Sequence, residues 1–264
     1  MFKNEFENKT LIATGAASGM GLLLCEKFLE YGGRAVMVDI NEDSLRAHAQ
    51  RLNERYPERV LAVRCDVRSY DEICRARDEA VRCFGSIDVL VNLAGGAETR
   101  MCGYAGGEFC DIPIEVYDWG LDVNLRAQLY FDHAVLSQMR EQRSGVIINI
   151  GSITGVEGCD REVAYSTSKS GAVGGLTKSV AQFGSKYNVR CDAVSPGPVM
   201  TRKSMADMYT LIGRAAEPIE IVELILYLSS SHAEFITGEH ILIDGGRNIM
   251  RDKVHGDYGK YGDK

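Results

Sequence analysis

Seven short, nearly uninterrupted apolar runs alternate with segments of helical length along these 264 residues. They are TLIAT at 10–14, RAVMV at 34–38, VLAVR at 60–64, IDVLV at 87–91, GVIINI at 145–150, VRCDAV at 189–194 and EHILI at 239–243. A strand with one wet face alternates apolar and polar residues; runs without that alternation suit strands covered on both faces. Repeated β–α units of this size imply a parallel sheet wound by right-handed crossovers. The expected fold is therefore α/β: a Rossmann-type doubly wound parallel sheet of seven strands flanked by helices, in a single domain over 1–264. Ligands of such sheets sit beyond the C-terminal ends of the strands, so the residues that follow each run matter most.

The first such place is TGAASGMG, which sets Gly15, Gly19 and Gly21 between the first strand and the first helix. Glycine lets backbone approach a ligand closely, and a helix start presents free N–H groups and a positive dipole end to a pyrophosphate. Ser18, Gly19, Met20 and Gly21 would supply that helix start. The spacing differs from G-x-G-x-x-G, and a glycine-rich turn by itself can be only a tight turn. Asp39 adds to it. It ends the second run, 18 residues beyond Gly21, where a carboxylate can accept from the 2′- and 3′-hydroxyls of an adenosine ribose. The same charge repels a 2′-phosphate, Ile40 follows it, and no Arg or Lys lies in the glycine turn, so the expected cofactor is NAD. A strand-end Asp that merely caps a turn is the ordinary alternative. Asp66 and Val67 after the third run, and Asn92, Ala94 and Gly95 after the fourth, stand at the same edge.

Ser152 follows the fifth run directly, and YSTSK at 165–169 lies on the next helical segment. Tyr165 and Lys169, four apart, share one helical face. An isolated pair of this kind is usually a solvated surface, but here the neighbours fit a chemistry. Oxidising an alcohol needs a base at the hydroxyl proton, and a free Tyr, with a pKa of about 10, is too weakly acidic to serve near neutrality. A lysine ammonium and an oxidised nicotinamide would both stabilise the phenolate. Ser152 would hold the substrate oxygen against Tyr165. Asn124, in LDVNLR, falls in a helical segment upstream and could equally be a structural polar group.

In this order the residues resemble the short-chain dehydrogenase/reductase family over roughly residues 6 to 247. TGAASGMG is similar to its T-G-x-x-x-G-x-G turn, CDV at 65–67 to its adenine-pocket motif, and NLAG at 92–95 to its N-N-A-G. PGPVMT at 196–201 is similar to P-G-x-V-x-T, and IDGG at 243–246 to its closing strand. The resemblance implies a catalytic tetrad of Asn124, Ser152, Tyr165 and Lys169. It further implies that Lys169 binds the nicotinamide ribose and that Asn124 holds a water linking the lysine to solvent. Thr201 and the backbone near Val199 would meet the nicotinamide carboxamide, with Pro196 and Gly197 also among the cofactor contacts. It implies strand order 3-2-1-4-5-6-7 and a homotetramer. Leu93 replaces the second Asn of N-N-A-G, removing an amide that commonly braces the central strands.

The reaction expected is NAD-dependent interconversion of a secondary alcohol and a ketone, favouring oxidation. Gly96, Glu98, Ile153, Glu157 and Arg161, with Ser152, are the candidate substrate residues, and Cys159, Asp160 and Glu162 lie beside them. This polar set suits a polyol, sugar or hydroxy acid; Met200, Met205, Met208 and Tyr209 would suit a hydroxysteroid or other bulky alcohol instead. A 3-oxoacyl carrier-protein reductase fits less well with Asp39 and an acidic chain. A non-catalytic dinucleotide sensor predicts the loss of Tyr165 or Lys169, and both are present. A Gly-rich substrate loop is expected over about 96–118, a lid over 200–217 and a polar tail over 247–264.

A net charge of −7 argues against nucleic acid and anionic membrane as partners. MFKNEFENKT lacks the apolar core of a signal peptide and no run reaches the length of a membrane span, so a cytoplasmic location is expected. The eight cysteines form no C-x-x-C and the five histidines keep no metal-ligand spacing. Reduced thiols and no metal site are expected.

Overall fold

A computed structural model describes residues 2–206 and 208–250. Its strands, β1 (Thr10–Thr14), β2 (Arg34–Asp39), β3 (Val60–Arg64), β4 (Val89–Asn92), β5 (Gly145–Ile150), β6 (Val189–Pro196) and β7 (His240–Ile243), form one seven-stranded sheet. All pairings are parallel, in the order β3-β2-β1-β4-β5-β6-β7. This is the order implied by the family resemblance.

Successive side chains of a strand point to opposite faces, and β1 divides its residues between two cores accordingly. Leu11 and Ala13 join one cluster with Leu24 and Phe28 of α1 (Gly19–Glu30). Ile12 joins the other with Ile73 of a later helix and Phe131. Both faces being covered is what makes the runs continuously apolar. The helices between are α2 (Glu42–Arg55), α3 (Tyr70–Phe84), α4 (Glu98–Met101), α5 (Ile114–Leu121), α6 (Ala127–Gln142), α7 (Thr154–Glu157), α8 (Val163–Gly171), α9 (Thr177–Gly184) and α10 (Pro218–Ser229). Their starts follow local rules. The Asn41 side chain accepts from Ser44 N–H to open α2, and Glu217 with Glu220 forms a capping box around Pro218 to open α10.

The long helical stretch after β4 is not uniform. Between α5 and α6 the residues Asp122–Arg126 make a π turn, with Ala127 N–H reaching back to Asp122 O. A second π turn, Ala172–Leu176, separates α8 from α9. Single π turns of this kind concentrate at functional sites.

Two expectations about loops change. The 96–118 segment is not all loop: it holds α4, a 3-10 turn at Phe109–Asp111 and the start of α5. The 200–217 segment carries a 3-10 turn at Lys203–Met205 and is tied back by a bridge between Val199 and Ala216. Of the polar tail, Arg247–Ile249 forms one further 3-10 turn, and 251–264 lie outside the described residues. Among the described residues no helix is long and apolar enough to cross a membrane.

Candidate active site

Strand order reverses between β1 and β4, since β1 continues outward through β2 while β4 leads to β5. Crossovers diverge to opposite faces there and leave a crevice at the C-terminal edge. The glycine turn stands over it. Gly15 has φ +70°, and a Cβ on it would lie 3.1 Å from Ala94 N. A Cβ on Gly21 would lie 2.3 Å from Gly15 O, so only glycine lets α1 begin so close to the turn. Ser18 starts α1 with no side-chain hydrogen bond over the first turn. This cradle, uncapped and walled by the Leu93–Ala94 backbone, fits the pyrophosphate of a dinucleotide.

Asp39 leaves β2 between the turn and α2. One carboxylate oxygen accepts from Ala17 N–H at 3.0 Å and the other from Asn41 N–H at 2.9 Å. Each oxygen keeps a lone pair for a ribose hydroxyl. Ile40, beside it, is exposed. Asp66 follows β3 and is partly buried. Its carboxylate grips the Arg68 guanidinium at 2.6 to 3.2 Å, which holds its pKa below the usual carboxylate range. Val67 is buried beside it.

Asn92 departs from expectation. Its amide donates inward, to Asp132 at 2.7 Å and to Asn149 Oδ1 at 2.8 Å, while Asn149 donates to the other Asp132 oxygen at 3.0 Å. This buried cluster binds β4 to β5 and α6, and it braces the strands where Leu93 supplies no amide. Burial pushes the Asp132 carboxyl up to about 7 despite those hydrogen bonds.

Ser152 follows β5, nearly buried, with its oxygen accepting from Thr154 N–H at 3.2 Å and from the Thr154 hydroxyl at 2.9 Å. Tyr165 and Lys169 share one face of α8, as their spacing predicts. Burial pushes the Tyr165 phenol up, while a hydrogen bond with Ser152 and the charges of Arg100 and Arg202 draw it down and Glu162 raises it. Lys169 is buried, donates from Nζ to Ile150 O at 2.7 Å, and lies 5.5 Å from the Tyr165 ring centroid. Burial pulls its pKa to about 7. Burial thus works against the ammonium form on which the phenolate would depend.

Asn124 sits in the π turn, fully buried. Its amide donates to Gly96 O and Gly120 O at 2.9 Å each, and its Oδ1 accepts from Gly96 N–H at 3.0 Å. A Cβ on Gly95 would lie 2.5 Å from that oxygen and 3.5 Å from Lys169 Nζ. Asn124 therefore fixes the Gly95–Gly96 backbone against the lysine.

Glu98, expected on the substrate surface, is fully buried instead. Its two oxygens accept from Ala164 N–H at 2.9 Å and Tyr165 N–H at 3.0 Å, where α8 begins. Glu157 bonds Arg247 at 3.2 and 3.3 Å, joining α7 to the segment after β7. Ile153 is buried, with its N–H on Pro196 O, and Arg161 is exposed. Gly197 packs where a Cβ would meet Asp244 Cα at 2.6 Å. Val199 is buried, and Thr201, exposed, donates its N–H to Val199 O at 2.7 Å. The motif reading missed Gln128, Asp132 and Asn149. Only Asn149, at the penultimate position of an apolar run, carried a signal in the form of a polar residue in a buried strand.

Comparison with known proteins agrees with this geometry. A family model described as enoyl-(acyl carrier protein) reductase matches residues 15–248. The 7alpha-hydroxysteroid dehydrogenase of Bacteroides fragilis is 30% identical, over 96% of this chain and 99% of its own length. The NAD-dependent glycerol dehydrogenase of Listeria innocua is 33% identical, over 94% and 98%. A 3-oxoacyl-[acyl-carrier protein] reductase from Brucella melitensis, solved with bound NAD, superposes with a TM-score of 0.85 at 25% identity, over 94% of each chain. The fold and its relatives define an oxidoreductase that acts on CH–OH groups and uses a nicotinamide dinucleotide. The chain belongs to the short-chain dehydrogenase/reductase family.

Proposed function

We propose that the protein is an NAD-dependent dehydrogenase that interconverts a secondary alcohol and a ketone, with Tyr165 as the acid/base. The observation that carries this reading is the placement of the buried Lys169 one helical turn from Tyr165 on α8, with Nζ 5.5 Å from the phenol ring centroid and Ser152 at the end of β5 facing the same phenol. When bound, the dinucleotide accepts or supplies the hydride at the carbinol carbon. Ser152 orients the substrate oxygen. The Tyr165 oxygen takes the alcohol proton as phenolate in oxidation and gives it back as phenol in reduction. Lys169 lowers the cost of the phenolate through its charge. Asn124 holds the adjoining backbone, and the uncapped start of α1 with Gly15 and Gly21 holds the pyrophosphate.

Asp39 supports NAD, because a carboxylate at the ribose accepts from two hydroxyls and repels a phosphate. A polar substrate (a polyol, sugar or hydroxy acid) is supported by the charges of Arg100, Arg202 and Glu162 acting on the Tyr165 hydroxyl. The glycerol dehydrogenase relative points the same way. A bulky apolar alcohol is the second reading, favoured by the hydroxysteroid dehydrogenase relative and by exposed Met101, Tyr209, Leu211 and Ile212. Following NADH formation across polyols, sugars, hydroxy acids and hydroxysteroids decides between them. Undiminished oxidation by Tyr165→Phe of whichever substrate responds would overturn the mechanism.

A further inference from the structure

Gln128 lies in the first turn of α6, buried, and belongs to none of the sequence motifs. Its Nε2 donates to Asn124 O at 3.0 Å and to Ile150 O at 3.0 Å. The second of these is the carbonyl on which Lys169 Nζ rests at 2.7 Å. One carboxamide thus joins the π turn, the end of β5 and the seat of the lysine. Its orientation is settled by chemistry: reversing the amide would turn Oε1 toward two carbonyl oxygens. Oε1 itself meets no donor among the described residues although it is buried. The amide is held by its two Nε2 hydrogen bonds.

A water between two carbonyls would make the same pair of bonds. We propose that Gln128 is a positioning residue for Lys169, its carboxamide replacing a bridging water between the Asn124 and Ile150 carbonyls. Two consequences follow from the difference between an amide and a water. An amide is covalently anchored, so Ile150 O is fixed and the ammonium with it. An amide N–H also does not hand on protons at working pH, whereas a water does, so this side of Lys169 is sealed. The low pKa of the lysine agrees with a dry seat. This inference rests on the reading of Tyr165 and Lys169 as the acid/base pair.

Two variants separate bridging from mere packing. Gln128→Ala removes the bridge and leaves room for a water between the carbonyls. Gln128→Met keeps the length and approximate volume, supplies no donor and admits no water. Bridging predicts that Gln128→Ala is the milder change, with kcat within about threefold of the parent, while Gln128→Met loses about tenfold in kcat at unchanged KM for the dinucleotide. Packing alone predicts the reverse order, because the alanine leaves the larger cavity. The second readout needs no substrate: the Lys169 titration, followed by NMR in full-length protein carrying 13Cε-lysine. The resonance is assigned by its absence in Lys169→Met. Hydration in Gln128→Ala should raise the Lys169 midpoint by about one pH unit. An unmoved midpoint in Gln128→Ala, or the methionine as the milder variant, would overturn the proposal. If Gln128→Met does not fold, the alanine titration decides alone. Absence of turnover by the parent on any alcohol would instead strike the proposed function and leave this titration readable.

Discussion

The carboxylate of Glu98 and the backbone N–H of Tyr165 meet at 3.0 Å across 67 positions of sequence. The other oxygen of Glu98 holds Ala164 N–H at 2.9 Å, so one buried anion anchors both the start of α8 and the loop beyond β4. Negative charge at a helix start is favourable, and here it also sets where the tyrosine stands.

Glu98→Gln should therefore act on catalysis without touching the dinucleotide. A carboxamide offers one acceptor oxygen and turns an NH2 toward a remaining N–H. We expect a stability loss of about 1–3 kcal/mol and a roughly tenfold lower kcat, with KM for the dinucleotide unchanged. Thermal melts and steady-state rates at one pH check both; parent-like kcat would show that α8 holds its place without the clamp.

Lys169 weakens the fold that it serves. Its pKa is about 7 in the folded protein against 10.5 for a free lysine, so between these pH values the folded state binds fewer protons than the unfolded state. Stability from this group consequently rises with pH across that window and is lowest at pH 7 and below. Lys169→Met should abolish turnover and raise stability at pH 7 by on the order of 2 kcal/mol, with the gain fading toward pH 10.5. Denaturant melts at pH 7 and 10 test the sign.

Asp132 has the opposite pH signature. Its carboxyl is raised to about 7 from 3.8, so the folded state holds a proton that the unfolded state has lost. The stability it contributes is full below pH 4 and disappears as pH rises through 7. Asp132→Asn, which turns a donor toward Asn92 or Asn149, should cost about 1–3 kcal/mol at pH 4 and less at pH 8. A variant-to-parent difference independent of pH would show that Asp132 stays ionised.

Asp39→Ala should narrow the preference for NAD over NADP by about tenfold or more, since removing a carboxylate removes both an acceptor and a repulsion. Because Asp39 also holds Ala17 and Asn41 N–H, part of the loss will appear as weaker binding of both cofactors. Dinucleotide titrations separate the two effects; an unchanged ratio would remove Asp39 from cofactor selection.

The sheet was readable because burial on both faces writes itself into composition, run by run. Boundaries moved where polar residues carry strand ends: β4 starts at Val89 because Asp88, though its backbone pairs onward, uses its carboxylate to take Thr10 N–H at 2.9 Å. Local spacing placed Tyr165 and Lys169 on one face, and position after a strand placed Ser152 and Asp39. Glu98, Asn92 and Gln128 were illegible in their roles because their partners are backbone groups that carry no letter or polar side chains far away in sequence. A buried Glu looks, in a string of letters, like an exposed one. What distinguishes it is a pair of N–H groups 66 and 67 residues distant.

The π turn at Asp122–Arg126 has a further bearing on how this site can vary. An α-helix advances about 100° per residue, and a π turn takes up one residue more than the regular spiral, so the turn sets which residues face the site on either side of it. Asn124 lies inside the turn and Gln128 just past it, on the side that meets Lys169. Loss of one residue there, with the helix made regular, would take Asn124 out of its present setting between Gly96 and Gly120. The placement of Asn124 is thus tied to the length of this stretch as well as to its letters.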